Sequence, residues 1–208
     1  YSSFDIAMGQ WVRFVQAGGD ARVLNRINSS MPTRIDGTLM ANGSVYFVNP
    51  AGVIFGNNAV INCGSFAAVG GQLSDTDFLA KRDNFTNLTG AVVNHGQINA
   101  QQGGAVTLVG QHVANYGRIV APQGTVIMAA GKDVMIGEAG GRIFARIEGD
   151  GIARPEGVRN DGVIDAARGR TLMAAGDIYG MAVINTGRVI ARDVKIDGGK
   201  HGEVRVAG

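Results

Sequence analysis

The sequence predicts an all-β chain wound as a β-helix. Three observations carry this: a composition of glycine with small and β-branched residues, a seven-residue pattern that recurs along the chain, and a spacing between copies that fits one coil of a solenoid. Glycine supplies 33 of 208 residues and proline only 4. Val, Ile and Ala dominate the apolar set, which reads as many short strands joined by tight turns and excludes long helices and disorder. A chain of this length buries a substantial core without a second domain, so residues 1–208 read as one unit.

The repeat is the strongest element. Its pattern, N-x-G-x-[IV]-x-A, occurs as NHGQINA from Asn94, NYGRIVA from Asn115, NDGVIDA from Asn160 and NTGRVIA from Asn185, with IDGTLMA from Ile35 as a weaker copy. A second strand follows each: GSVYFVN from Gly43, GAVTLVG from Gly104, GTVIMAA from Gly124, GRTLMAA from Gly169 and GEVRVAG from Gly202. The four full copies start 21, 45 and 25 residues apart, so the middle interval reads as two periods with one drifted copy. A period in the low twenties with two or three short strands is the arithmetic of a β-helix coil, each turn stacking on the last at ~4.8 Å. Propeller blades need about 40 residues, and the leucine frame of a leucine-rich repeat is absent.

Period-2 geometry then assigns the faces. With Ile98 and Ala100 inward, Asn94 and Gly96 share the inner face, while His95, Gln97 and Asn99 face solvent. A buried amide must be satisfied, so Asn94, Asn115, Asn160 and Asn185 read as a structural asparagine ladder; a turn position with φ > 0 is the alternative. Ala100, Ala121, Ala130, Ala166 and Ala175 suit a narrow core filled by Val126, Met128 and Met173.

Two stretches break the rhythm. Residues 74–85, SDTDFLAKRDNF, place an N-cap-like Ser or Asp before a short apolar run and predict one or two helical turns outside the coil. Residues 138–157 read as a longer excursion. A solenoid also leaves two open ends that invite edge pairing unless capped, and the chain opens on YSSFDI, a strand-like segment with no lead-in, as a fragment or processed form would.

Charge and motifs bound the chemistry. The net charge is +2 with the signs interspersed, so the single-sign stripe and stacking aromatics of a nucleic-acid surface are missing. The lone Cys63 reads as a buried apolar thiol. No uncharged apolar run reaches the ~20 residues of a membrane helix, and the sequence does not open on a basic-then-apolar signal segment, which leaves a removed signal peptide open. A glycosidase needs two carboxylates within ~9.5 Å, yet Asp161 and Asp165 sit ~13 Å apart along a strand, and Asp75 and Asp77 fall where capping is the default. His95 and His112 lie about one coil apart and could stack, but two histidines are too few for zinc. Nucleophile-elbow and phosphate-loop motifs are absent, so no enzyme, metal or cofactor is expected.

The run from YSSFDIAMGQWVRFVQ through VLNRINSSMPTRIDGTLMANGSVYFVNPAGVIFGNNAVINCGSFAAVGGQLSDTDFLA closely resembles the filamentous haemagglutinin N-terminal domain, the secretion domain of two-partner secretion exoproteins. Residues 1–86 carry the motifs, without the family's upstream Asn-Pro-Asn-Leu segment; residues 87–208 resemble its repeat coils. The family's Asn-Pro-Asn-Gly-Ile motif is matched by Asn49, Pro50, Ala51, Gly52 and Val53, with Ala in place of the second Asn and Val in place of Ile. DFLA from Asp77 resembles a further family segment and supports an excursion there.

The resemblance implies a right-handed parallel β-helix, a single solenoid of the pectate-lyase-like superfold with short excursions. It implies export through the periplasm of a Gram-negative bacterium to the cell surface or beyond. The implied partner is an outer-membrane transporter with POTRA domains. An adhesive module binding glycans or host surfaces, and then a carbohydrate-active β-helix, are the competing readings. Locally, Pro50 fixes φ, Asn49 before it favours extended backbone, and Gly52 permits a tight return, so NPAG predicts a β-turn between strands. With Ala at 51, backbone shape must supply whatever this corner does.

Overall fold

The computed structural model describes residues 1–207, which form a right-handed parallel β-helix with two excursions. The first coil holds β1 (Trp11–Phe14) and β2 (Arg22–Arg26). The second holds β3 (Thr33–Ile35), β4 (Thr38–Ala41) and β5 (Ser44–Val48), and the third β6 (Gly52–Phe55), β7 (Val60–Cys63) and β8 (Ser65–Val69). The chain then leaves the solenoid as β9 (Gln72–Leu73), α1 (Asp75–Leu79) and β10 (Asp83–Thr86). Two regular coils follow: β11 (Ala91–Asn94), β12 (Gln97–Ala100) and β13 (Ala105–Gly110), then β14 (His112–Asn115), β15 (Arg118–Val120) and β16 (Thr125–Ala130). A second excursion is the hairpin of β17 (Asp133–Ala139) and β18 (Arg142–Glu148). The last strands are β19 (Arg154–Asn160), β20 (Val163–Ala175), β21 (Tyr179–Asn185), β22 (Arg188–Asp197) and β23 (Glu203–Val206).

Stacking the coils produces three parallel faces. One runs β3, β6, β11, β14, β19, β21, β23; the other two, headed by β1 and β2, merge where the long β20 bends and pairs with both β15 and β16. One core fills the interior from Ile6 to Val183, and it includes the expected Ala100, Ala121, Val126, Met128, Ala130, Ala166, Met173 and Ala175. The glycine of the repeat is explained by close approach rather than by a special φ. A Cβ on Gly117, Gly162 or Gly187 would overlap the carbonyl oxygen of the stacked glycine one coil earlier.

The excursions meet in space. β9, β10, β17 and β18 form a four-stranded antiparallel sheet that lies over the outer surface of the face headed by β2. Beneath it a second core unites Val48, Val69, Val109, Ile127, Ala129, Leu172 and Ala174 from the solenoid with Leu73, Phe85, Leu88 and Val134 from the cover. Strands of this face are therefore buried on both sides, which is why TVIMAA and SFAAV read as unbroken apolar runs. Where the cover ends, the outward columns change character: Leu172 is followed by Lys195 and Ala174 by Asp197.

Several expectations are corrected. Asn115 pairs directly with Asn160, so no copy of the repeat has drifted; the extra length of that interval is the inserted hairpin of β17 and β18. GEVRVAG is not the second strand of its coil: β23 pairs with β21 and begins the next one, while β22 supplies that second strand. The excursion expected at 138–157 is present with other bounds: it is a regular hairpin from Asp133 to Glu148, and residues 154–157 already belong to β19. YSSFDI contributes one isolated bridge, Ile6 to Ile35, rather than a strand. The predicted helical turns are α1, capped by Ser74, whose hydroxyl accepts from the Asp77 amide; the end of that stretch is the strand β10.

Candidate functional site

Residues 49–53 turn the chain from β5 of one coil into β6 of the next. The Gly52 amide donates to the Asn49 carbonyl at 2.8 Å, closing a β-turn with Pro50 in the position that suits its fixed φ. The Asn49 side chain is fully buried. Its Oδ1 accepts from the Ala51 amide at 3.0 Å, and its Nδ2 donates to the Met31 carbonyl and the Thr33 hydroxyl, each at 3.1 Å. One asparagine thus sets the turn and ties it to the preceding coil. Gly52 has φ of +110°, and a Cβ there would meet the Ala91 carbonyl oxygen at 2.5 Å, so this position requires glycine. Val53 points into the core, whereas Pro50 and Ala51 remain half-exposed, and the Pro50 carbonyl accepts from the Thr89 hydroxyl at 2.8 Å.

A groove of about 330 Å³ joins this corner to the first excursion, with Pro50 and Arg26 on one side and Gln72, Ser74, Asp75 and Thr86 on the other. The turn and the DFLA helix thus flank one surface feature. Two arginines of β2 hold the excursion down. Arg26 donates to the Leu73 carbonyl at 2.6 Å and to Asp75 at 3.0 Å. Arg22 lies against both the Tyr46 and Phe78 rings, at 4.8 and 4.6 Å from their centroids, and donates to the Phe78 carbonyl at 2.8 Å. Burial, reinforced by Asp83, pushes the Tyr46 phenol up to about 12, and burial also raises the Asp83 carboxyl. Sequence reasoning missed Arg22, Arg26 and Tyr46. The alternation Arg22, Leu24, Arg26 in RVLNR marks one outward face, but nothing local says what covers it.

Asn94, Asn115, Asn160 and Asn185 stand in one buried column, each directly above the last in the paired register. Asn94 Nδ2 donates to Asn115 Oδ1 at 2.8 Å, Asn115 to Asn160 at 2.7 Å, and Asn160 to Asn185 at 2.7 Å. Asn94 Oδ1 also accepts from the Gly96 amide at 3.1 Å, so the column caps its own turn. Earlier coils fill the same position with Ile35 and Phe55. The column and the corner at residues 49–53 are separate features of the solenoid.

Asp161, Asp165 and His95 are each engaged by neighbouring side chains. Asp161 is held below the usual carboxylate range by the Thr186 hydroxyl and by Arg159, and Asp165 pairs with Arg118 at 3.0 Å. His95 does not meet His112; its ring stacks on Tyr116 of the next coil at 5.0 Å, because His112 sits beside Ala91 instead. Among the described residues no group of three or more acidic, histidine or cysteine side chains is arranged to hold a metal. Cys63 lies in the core, where burial pushes its thiol up to about 12.

Residues 1–206 match the TPS secretion domain family. The chain belongs to that family. The HMW1 secretion domain from Haemophilus influenzae has the same fold, with a TM-score of 0.84 and 28% identity over all of this chain and 56% of that one. Two curated relatives are each named heme/hemopexin-binding protein, also from Haemophilus influenzae. One is 35% identical over 106 residues, covering 47% of this chain, and the other 40% identical over 68 residues, covering 33%. Those matches span 11% and 7% of the relatives' own lengths, so the TPS secretion domain here corresponds to a small part of each. As a TPS secretion domain it is part of a secreted protein. Among the described residues no helix is long and apolar enough to cross a membrane.

Proposed function

We propose that residues 1–208 act as one targeting unit that presents a larger exoprotein to an outer-membrane transporter with POTRA domains, after passage through the periplasm. The observation that carries this reading is the family match across residues 1–206, together with a motif corner built to hold one shape. The Asn49 side chain is spent inside the solenoid, so what the corner offers a partner is backbone and the half-exposed ring of Pro50, beside the groove that leads to α1. Ala51 is compatible with this role because position 51 contributes its amide. Folding of the solenoid outside the cell would then oppose return of the chain, since the folded coils bury what the unfolded chain must expose in transit. The test is export of the full-length protein lacking residues 1–86. Loss of export is the expected result, and unchanged secretion would sink the proposal.

A further inference from the structure

The loop that leads from β2 into β3 holds an apolar side chain out of the fold. Met31 is 69% exposed, yet the backbone around it is tied down. The Asn28 amide donates to the Tyr1 carbonyl at 2.8 Å, and the Met31 amide to the Ser29 hydroxyl at 3.0 Å. The Met31 carbonyl accepts from Asn49 Nδ2 at 3.1 Å, and Pro32 fixes the φ that follows. The side chain therefore stands in water on a fixed stem.

Scattered single apolar residues are ordinary on a protein surface. Met31 is not isolated. The half-exposed ring of Pro50 stands one coil further along the same edge, and the Asn49 side chain that accepts from the Ala51 amide in the Pro50 turn also donates to the Met31 carbonyl. Residues 28–32 also form a ridge between two cavities. Asn28 lines the groove of about 330 Å³ that leads to α1, while Ser29, Met31 and Pro32 line a second of about 220 Å³, shared with Ser3, Phe4 and Asp5. Asn28, Ser29 and Ser30 give the ridge a neutral polar flank, and the charges of the first groove, Arg26 and Asp75, pair with each other at 3.0 Å. An apolar knob with a polar rim suits an apolar pocket on a partner, and a stem already fixed lowers the ordering cost of docking there.

We propose that Met31 is a contact residue for the outer-membrane transporter, seated with the Pro50 ring in an apolar pocket on the transporter's periplasmic side. This rests on the secretion role proposed above and adds to it the side chain that the partner grips. Asn49 is then a positioning residue: one buried amide sets the turn at Pro50 and holds the Met31 carbonyl, which fixes the spacing of a two-point anchor.

The test compares export of full-length variants in cells that carry the transporter. Met31→Gln keeps the length of the side chain and removes its apolar end, and it should cut export at least about five-fold, as for an anchor residue. Met31→Leu should stay within about two-fold of the parent, because it restores an apolar knob. Ile152→Gln, at a comparably bare residue (62% exposed) in the loop after β18, should export as the parent does. The purified 208-residue chain carrying Met31→Gln should melt at the parent's temperature. Peroxide treatment of the secreted parent should oxidise Met31 to its sulfoxide while the buried Met128 resists. Unchanged export of Met31→Gln, a loss no larger than that of Ile152→Gln, failure of Met31→Leu to restore export, or a fall in melting temperature would each overturn the proposal. A Met31 as resistant to peroxide as Met128 would overturn it too, since the protein's own chain would then cover that side chain. If deletion of residues 1–86 abolishes export and Met31→Gln leaves it unchanged, the secretion role stands and the Met31 anchor alone falls; if that deletion leaves export unchanged, both fall.

Discussion

The side-chain amide of Asn115 donates to Asn160 Oδ1 at 2.7 Å although 45 residues separate the two. Both are fully buried, and each also bonds a further asparagine of the column. Replacing Asn115 with Ala leaves the Asn94 donor and the Asn160 acceptor without that partner in an apolar interior. Since each orphaned buried group costs about 1–3 kcal/mol, Asn115→Ala should destabilise the domain by roughly 2–6 kcal/mol. Urea unfolding of this variant beside Asn99→Ala, on the outer surface, measures the difference; equal midpoints would show that the column contributes nothing.

Leu172 and Lys195 occupy successive places in one outward column, the first beneath the covering sheet and the second beyond it. Leu172→Ala should therefore cost about 2–5 kcal/mol, as for a core leucine, whereas Lys195→Ala should change stability by no more than about 0.5 kcal/mol. Thermal unfolding of the two variants decides whether the cover forms a true second core.

At the corner, Asn49→Ala removes three hydrogen bonds at a buried site and should cost about 1–3 kcal/mol. Ala51→Asn, which restores the family residue, should leave stability within about 0.5 kcal/mol, because the side chain at 51 makes no bond that holds the turn. Gly52→Ala should cost more than about 1 kcal/mol through its φ of +110° and its contact with the Ala91 carbonyl. A ranking by chemical denaturation in which Ala51→Asn proves the worst of the three would refute this account of the turn.

Acid should weaken the fold within a definable window. Asp161 is held below the usual value of 3.8 by the Thr186 hydroxyl and Arg159, Asp77 by the Ser74 hydroxyl and Arg82, and Asp177 by the backbone amides of Lys200 and His201. With folded values below unfolded ones, their contribution is present above 3.8 and is lost as the pH falls through the folded values. Asp83 has the opposite sign: burial raises it, so its ionised form opposes folding, and that cost disappears on protonation. Melting temperatures of the parent and Asp161→Asn should therefore differ at neutral pH and converge as the pH falls below 3.8. A gap that persists through acid would show that Asp161 works by some means other than its charge.

Much of the solenoid was legible because stacking imposes a period on the sequence. Asn94, Gly96, Ile98 and Ala100 share an inner face through strand alternation alone, and the same alternation in the later copies places Ala121, Ala166 and Met173 in the core. The NPAG corner was equally readable, since Pro50 and Gly52 restrict the backbone locally. Arg22 and Tyr46 carried no such signal, because their partners Phe78 and Asp83 arrive from an excursion whose path no spacing records.

What the sequence determined by itself is the coil: which side chains face inward, where the chain turns, and that successive turns stack, all of which follow from short-range periodicity and backbone restriction. Only the tertiary structure decided that Asn160 follows Asn115 without a missing coil, that 203–206 start a new turn, and that the two excursions join to roof one face. The physical reason is that an insertion between coils lengthens the spacing without altering the stacking. Burial of the outer surface of Ile127 or Leu172 likewise depends on strands contributed from distant points of the chain.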